Sequence, residues 1–214
     1  SDEVQADAIG SGSALFDGSS DYISIADSAD LSFGDGSNDS AFSISAWVKP
    51  TDATNFQIAF KDTEYQFYLN SSDHLTLFLE DETGDAGYEY AYYNSAISEN
   101  TWSHVACTYN GVGGTSANAG ITLYVNGVSV ATTLSDSGTY VAMENSSNAL
   151  TIGKQSTNFS DGNICQVGIW DAVLDQAQIQ SIMEKTYEEL TASEKEDLVS
   201  YWALDETIES SGSG

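Results

Sequence analysis

The feature that most constrains this chain is alternation. Apolar residues recur at every second position in short runs, and each run is closed by Gly, Ser, Asn or Asp. That is the pattern of half-buried strands joined by turns. Clear runs are 42–49 (FSISAWVK), 64–69 (EYQFYL), 74–79 (HLTLFL), 101–109 (TWSHVACTY) and 164–170 (ICQVGIW). In 42–49, Phe42, Ile44, Ala46 and Val48 share one face, while Ser43, Ser45, Trp47 and Lys49 share the other. The strongest local signal is ITLYVNGVSVAT at 121–132, where Asn126-Gly127 supplies the two positive-φ positions of a type I′ hairpin turn. About a dozen such strands, at this spacing, predict an all-β fold: a two-sheet antiparallel jelly-roll sandwich.

Helix is expected only near the end, as one or two short C-terminal helices. Asp175 with Gln178 forms a capping box ahead of Ile179, Ile182 and Met183, and Thr191 with Glu194 repeats the device. LVSYWALDE (198–206) then returns to strand. No tandem repeat or composition break divides the chain, so residues 1–206 are expected to form a single domain, with 207–214 a flexible tail.

Composition bounds the function classes. Hydrophobic residues make up 41% and aromatic residues 11%, too many for an acidic disordered segment. There are 33 acids against 5 basic residues, all of them lysine, for a net charge of −28. Nucleic-acid binding needs clustered Lys and Arg, so it is excluded, and docking on anionic lipid is disfavoured. No apolar run approaches the ~18 residues of a membrane span, so no membrane insertion is expected. The first residues, SDEVQ, lack the basic start and apolar stretch of a secretion signal, so no signal peptide is evident in this chain. Cys107 and Cys165 have no metal-motif spacing. They read as two buried free thiols, with one inter-strand disulfide as the alternative.

Six stretches, in order, resemble the laminin-G-like and pentraxin-like domains of the concanavalin-A-like lectin/glucanase superfamily. They are ALFDGSSDYISI (14–25), FSISAWVKP (42–50), WSHVACTYNG (102–111), ITLYVNGV (121–128), LTIGK (150–154) and GNICQVGIWDAVLDQAQI (162–179). The resemblance implies two packed antiparallel sheets and a binding or structural role more often than catalysis. It also implies a candidate calcium site, a Ca2+ cofactor held by Asp17 and Asp21 around a tight turn and by Asp161 ahead of the strand that packs near it. Two departures stand against that site. Cys165 and Gln166 occupy the place of a common acidic pair, and the ligand loop is reduced to QSTNFSDG (155–162). A segment like LVSYWALDE usually opens such domains, whereas here it lies near the end. It reads either as an ordinary last strand or as one donated to a neighbouring subunit.

Catalytic candidates are weak. Glu80-Asp81-Glu82 places neighbouring acids on opposite strand faces, the wrong arrangement for a glycosidase pair. His104 fits a structural hydrogen-bonding role, and no catalytic role is assigned. Tyr88, Tyr90 and Tyr92 alternate and project from one sheet face. They either stack sugars or partner surfaces, or pack across strands.

The chain is therefore expected to be a non-catalytic recognition or structural module. The leading expectation is a phage virion surface protein, a capsid decoration or tail/fibre-associated component from a marine or saline environment. Its partners would be capsid or tail proteins, or neutral glycans, and a homo-oligomer is possible in that setting. The alternative is a carbohydrate-binding or adhesion module of a secreted bacterial protein, with a glycoside hydrolase third. Localisation is expected on a virion surface or outside the cell.

Overall fold

The computed structural model describes residues 8–82 and 87–205. The first half of the chain supplies β1 (Ala14–Asp17), β2 (Ile23–Ile25), β3 (Phe42–Asp52), β4 (Gln57–Lys61), β5 (Tyr65–Leu69), β6 (His74–Asp81), β7 (Gly87–Ala96) and β8 (Ser103–Tyr109). The second half supplies β9 (Ile121–Val125), β10 (Val128–Ser129), β11 (Thr132–Ser137), β12 (Leu150–Ile152), β13 (Lys154–Gln155), β14 (Asn158–Phe159) and β15 (Asp161–Trp170). A single α-helix among the described residues, α1 (Gln176–Ile182), precedes the last strand, β16 (Leu198–Trp202).

Two antiparallel sheets face each other. The first runs β1-β15-β3-β8-β9-β10, with β16 also pairing β15, and the second runs β11-β7-β6-β5-β4-β12-β2. Phe42, Ile44, Ala46 and Val48 of β3 point between the sheets and are fully buried, as the alternation requires. Phe67, Leu75, Leu77, Leu79 and Ala91 answer them from the second sheet. This is the jelly-roll-like sandwich expected from the period-2 pattern. Asn126 and Gly127 take φ of 50° and 73°, the I′ signature, and join β9 to β10. The second arm is shorter than the apolar run suggested. The strand ends at Ser129, one further backbone bond runs from Val130 N to Leu123 O at 3.0 Å, and the chain then crosses to the second sheet as β11.

β1 and β16 share one lane. β1 pairs the first part of β15 and β16 pairs the last part, from Val167–Trp202 to Trp170–Leu198. LVSYW thus closes its own chain's sheet, as an ordinary last strand.

The outer face of the first sheet is not left to water. Residues 171–197 fold over it, and Trp170, Tyr124, Ala106, Leu174, Ile179, Ile182 and Leu190 form a second apolar cluster. Ser43 and Ser45, placed on the polar face by sequence, are buried beneath this cover. Each finds partners there. Ser43 Oγ donates to Ala172 O at 2.6 Å and accepts from Leu174 N. Ser45 Oγ meets His104 Nε2 at 2.9 Å. Burial drives the His104 pKa down to about 3, so the ring is neutral and structural. Cys107 and Cys165 are both free and buried, and burial raises both thiols, Cys165 to about 12.

The Asp175 capping box opens α1 as expected. The second device, at Thr191 and Glu194, closes only one turn, with Lys195 N donating to Thr191 O at 3.1 Å. A further box at Thr186 and Glu189 opens the 3-10 turn Tyr187–Glu189. Glu194 also accepts from Lys185 Nζ and Ser181 Oγ, each at 2.6 Å. Burial alone would raise this carboxyl, but those bonds together with the Thr191 contacts hold it at about 2, against 4.5 ordinarily. The stability it supplies is present above pH 4.5 and is lost as pH falls toward 2. Glu194→Gln should therefore flatten the dependence of melting temperature on pH across that window, measured by thermal circular dichroism.

Candidate functional site

With the first sheet covered, the outer face of the second sheet is the open one. Strand register decides what lies on it. In one row across the sheet, Ser135 faces Tyr90, Tyr90 faces Phe78, Phe78 faces Gln66, Gln66 faces Phe60, and Phe60 faces Thr151. The next row holds Thr133, Tyr92, Thr76, Tyr68 and Gln57. All of these side chains point away from the core, because Gly87, Glu89 and Ala91 take the inward positions of β7.

Tyr88, Tyr90 and Tyr92 thus lie side by side along β7. Ring centroids are 5.9 Å apart for Tyr88–Tyr90 and 6.2 Å for Tyr90–Tyr92. Phe78 of β6 bridges the first two at 4.9 and 5.6 Å, and His74 stacks on Tyr92 at 5.7 Å. Cross-strand packing and surface display are therefore both realised: the rings support one another and remain half-buried.

At one flank the ladder opens into a cleft of about 280 Å³, lined by Tyr68, Asn70, Ser71, Ser72, Phe78, Tyr88 and Tyr90. Asn70 Oδ1 accepts from Ser72 N at 2.8 Å and His74 N at 3.2 Å, which shapes the β5–β6 turn as a rigid polar wall. Burial, and then the neighbouring Tyr90, push the Tyr68 hydroxyl up to about 12, so it stays protonated. Gln66 Nε2 donates to Gln57 Oε1, which fixes two amides beside the rings. Flat apolar faces bordered by oriented hydroxyls and amides suit a ligand with both CH-rich faces and hydroxyl edges.

Tyr68 and Phe78 escaped the sequence reading although their runs were recognised as strands, and His74 was weighed there only as a weak catalytic candidate. Alternation puts each on the outward face of its own strand. Only the register shows that these faces meet those of Tyr88, Tyr90 and Tyr92.

The acids sort differently. Glu80 points outward, and burial, then Glu82 and Asp62, raise its carboxyl. Asp81 points inward and accepts from Val141 N at 2.8 Å. Neighbouring acids on opposite faces give no glycosidase pair here.

Asp17 and Asp161 face each other across β1 and β15, and Asp21 lies at the end of the turn that follows β1. Asp17 is occupied by its own turn. Its Oδ1 accepts from the backbone N of Ser19, Ser20 and Asp21 at 2.7–3.0 Å, and its Oδ2 from both serine hydroxyls. Those bonds, from Ser20 first, lower its pKa far below the ordinary carboxylate range. Among the described residues, no group of three His, Cys, Asp or Glu side chains is placed to hold a metal ion. A hard cation needs six to eight oxygens, so a calcium ion beside Asp17, Asp21 and Asp161 would have to draw most of its ligands from backbone carbonyls and water.

A family model described as Concanavalin A-like lectin/glucanases superfamily, with the laminin G label, matches residues 17–180. No curated protein matched the sequence. Among solved structures, a candidate carbohydrate-binding protein from Bacteroides ovatus aligns with a TM-score of 0.58 and 16% identity, over 92% of this chain and 53% of its own. This chain therefore spans about half of that one. The CBM40 module of a Ruminococcus gnavus IT-sialidase, bound to alpha2,3 sialyllactose, aligns with a TM-score of 0.56 and 11% identity, over 81% and 97%. At such identities the likeness is one of fold.

Proposed function

The chain belongs to the laminin-G-like family of the concanavalin A-like lectin/glucanases superfamily, and from that premise we propose that it is a non-catalytic glycan-recognition module. The observation that carries this reading is the aromatic ladder of Tyr88, Tyr90, Tyr92 and Phe78 on the open sheet face, beside the cleft walled by Tyr68 and Asn70. The carbohydrate-binding neighbours support the same expectation, and they give no support to a capsid or tail role.

Charge narrows the ligand to neutral glycans. Lys61 and Lys185 are paired with carboxylates, while Lys154 and Lys195 lie over the rings of Tyr22 and Tyr187. Lys49 belongs to the other sheet. No lysine lines the cleft, so a sulfate or carboxylate group would meet no cation there.

Tyr90→Ala should weaken binding of a neutral oligosaccharide about tenfold, the equivalent of ~1.4 kcal/mol, in isothermal titration against a hit from a glycan array. Tyr90→Phe keeps the ring and should retain most of the affinity. Unchanged affinity in a folded Tyr90→Ala protein would overturn the assignment of the face.

A further inference from the structure

At the far end of the same sheet, three side chains meet in a way that ion pairing alone does not require. Lys61 ends β4, and a four-residue turn with Thr63 at φ 69° brings Glu64 back over it. Both side chains are fully buried, and Lys61 Nζ lies 2.6 Å from Glu64 Oε1. Leu150 of β12 faces both Lys61 and Ile25, so the chain leaving β2 passes Lys61 two residues later. There Asp27 places Oδ1 2.9 Å from the same Nζ. The Asp27 side chain is 31% exposed, whereas its two partners are not exposed at all.

We propose that Lys61 and Asp27 form an intramolecular isopeptide bond, with Glu64 as the proton relay. Glu64 passes a proton from the Lys61 ammonium to an Asp27 oxygen, which makes a neutral amine beside a neutral acid. Nζ attacks Cγ of Asp27 and the C–N bond forms. A second proton then passes through Glu64 from the nitrogen to the Asp27 hydroxyl. The C–O bond breaks, and water leaves by the exposed side of Asp27. One ammonium and one carboxylate thus become one amide and one water, with no oxidant or co-reactant.

Three features favour this over a plain ion pair. Amine and carboxyl are held in contact, the arrangement that turns a slow bimolecular condensation into an intramolecular one. A buried base touches the nucleophile, as lysine activation requires. Glu64 is also lopsided. Its Oε1 takes bonds from Lys61, Ser32, Ser146 N and Ser146 Oγ, while its Oε2 is buried and has no hydrogen-bond partner among the described residues. The bare oxygen is a carboxylate acceptor site that nothing else occupies, which is the geometric requirement for a group that relays a proton. The Lys61 bonds to Ser146 O and Asn148 O, both 3.1 Å, hold the nitrogen in place.

The test is the intact mass of the purified, denatured full chain. The expected mass is lower than the sequence mass by one water, and proteolysis with tandem mass spectrometry should yield a branched peptide joining Asp27 to Lys61. Glu64→Gln should keep the full sequence mass. Wild-type protein at its full sequence mass after prolonged incubation in the folded state would overturn the proposal, leaving an ion pair. A missing water located at any other site would do the same. A Glu64→Gln protein that also loses water would overturn the relay role. The wild-type measurement decides the bond whether or not the variant folds, and neither result depends on the glycan reading.

Discussion

An Asp39→Ala protein should unfold about 2–4 kcal/mol more easily than wild type, a fall in melting temperature of roughly 4–16 °C. Asp39 precedes β3, and its carboxylate is the shared acceptor of three groups. Tyr109 Oη donates to Oδ2 at 2.6 Å, Tyr140 Oη donates to the same oxygen at 2.7 Å, and Met143 N donates to Oδ1 at 2.8 Å. Both tyrosines are essentially fully buried. Removing the acceptor orphans three donors at once, and each lost partner costs about 1–3 kcal/mol, less where water can enter.

The loss should spread along the segment between β11 and β12. Among the described residues this stretch joins no strand ladder, and its backbone bonds run to loops, from Gly36 N to Met143 O and from Gly114 N to Val141 O. Three carboxylates stand in for a ladder by taking its backbone N–H groups: Asp81 at Val141, Asp39 at Met143 and Glu64 at Ser146. Amide exchange in 139–148 should accelerate before that of β3 or β8. Asp39→Asn, which keeps one carbonyl acceptor, should cost clearly less. A melting temperature for Asp39→Ala within a degree or two of wild type would show that the three donors find other partners.

Trp170→Ala should be the most damaging change to the helical cover, at about 3–5 kcal/mol. The indole is about 1% exposed and sits at the centre of the second apolar cluster. Its Nε1 donates to Glu194 O at 2.8 Å, which ties the 171–197 segment to β15. The ring lies so close over Gly168 that a Cβ there would come within 2.5 Å of it. Removing the ring leaves a cavity between Ile179, Ile182 and the sheet and frees a backbone carbonyl. Limited proteolysis should then cut within 171–197 while the far-ultraviolet sheet signal persists. Equal protease resistance in wild type and variant would mean that the cover is held from elsewhere, with Trp47 Nε1 to Met183 O the next tie to break.

Much of this molecule was legible in its sequence. Phe42, Ile44, Ala46 and Val48 alternate with Ser43, Ser45 and Trp47, and that local pattern specifies a strand with one core face whatever its neighbours are. Asn126-Gly127 specified its turn because few other residue pairs accept two positive φ angles. Asp175 and Gln178 specified a helix start for the same local reason. The projection of Tyr88, Tyr90 and Tyr92 from one face needed only period two. The excess of acids was visible too, but read alone it only excluded nucleic acid and disfavoured anionic lipid as partners. Several of those acids prove to be backbone acceptors that stand in for strand pairing or cap turns, among them Asp17, Asp39, Glu64, Asp81 and Glu194.

The tertiary structure decided everything that depends on residues far apart in the chain. Ser43 and Ser45 are buried because residues more than a hundred positions later fold back over them, which no local pattern encodes. The tyrosines became a ladder with a cleft only when register set Phe78 against Tyr90 and the β5–β6 turn beside Tyr88. Lys61, Glu64 and Asp27 are an unremarked lysine and two acids in the sequence, because β2 and β4 meet only through β12. Alternation is a property of one strand, and so sequence determines which face each residue takes. Pairing is a property of two strands, and it determines which faces come together to make a site.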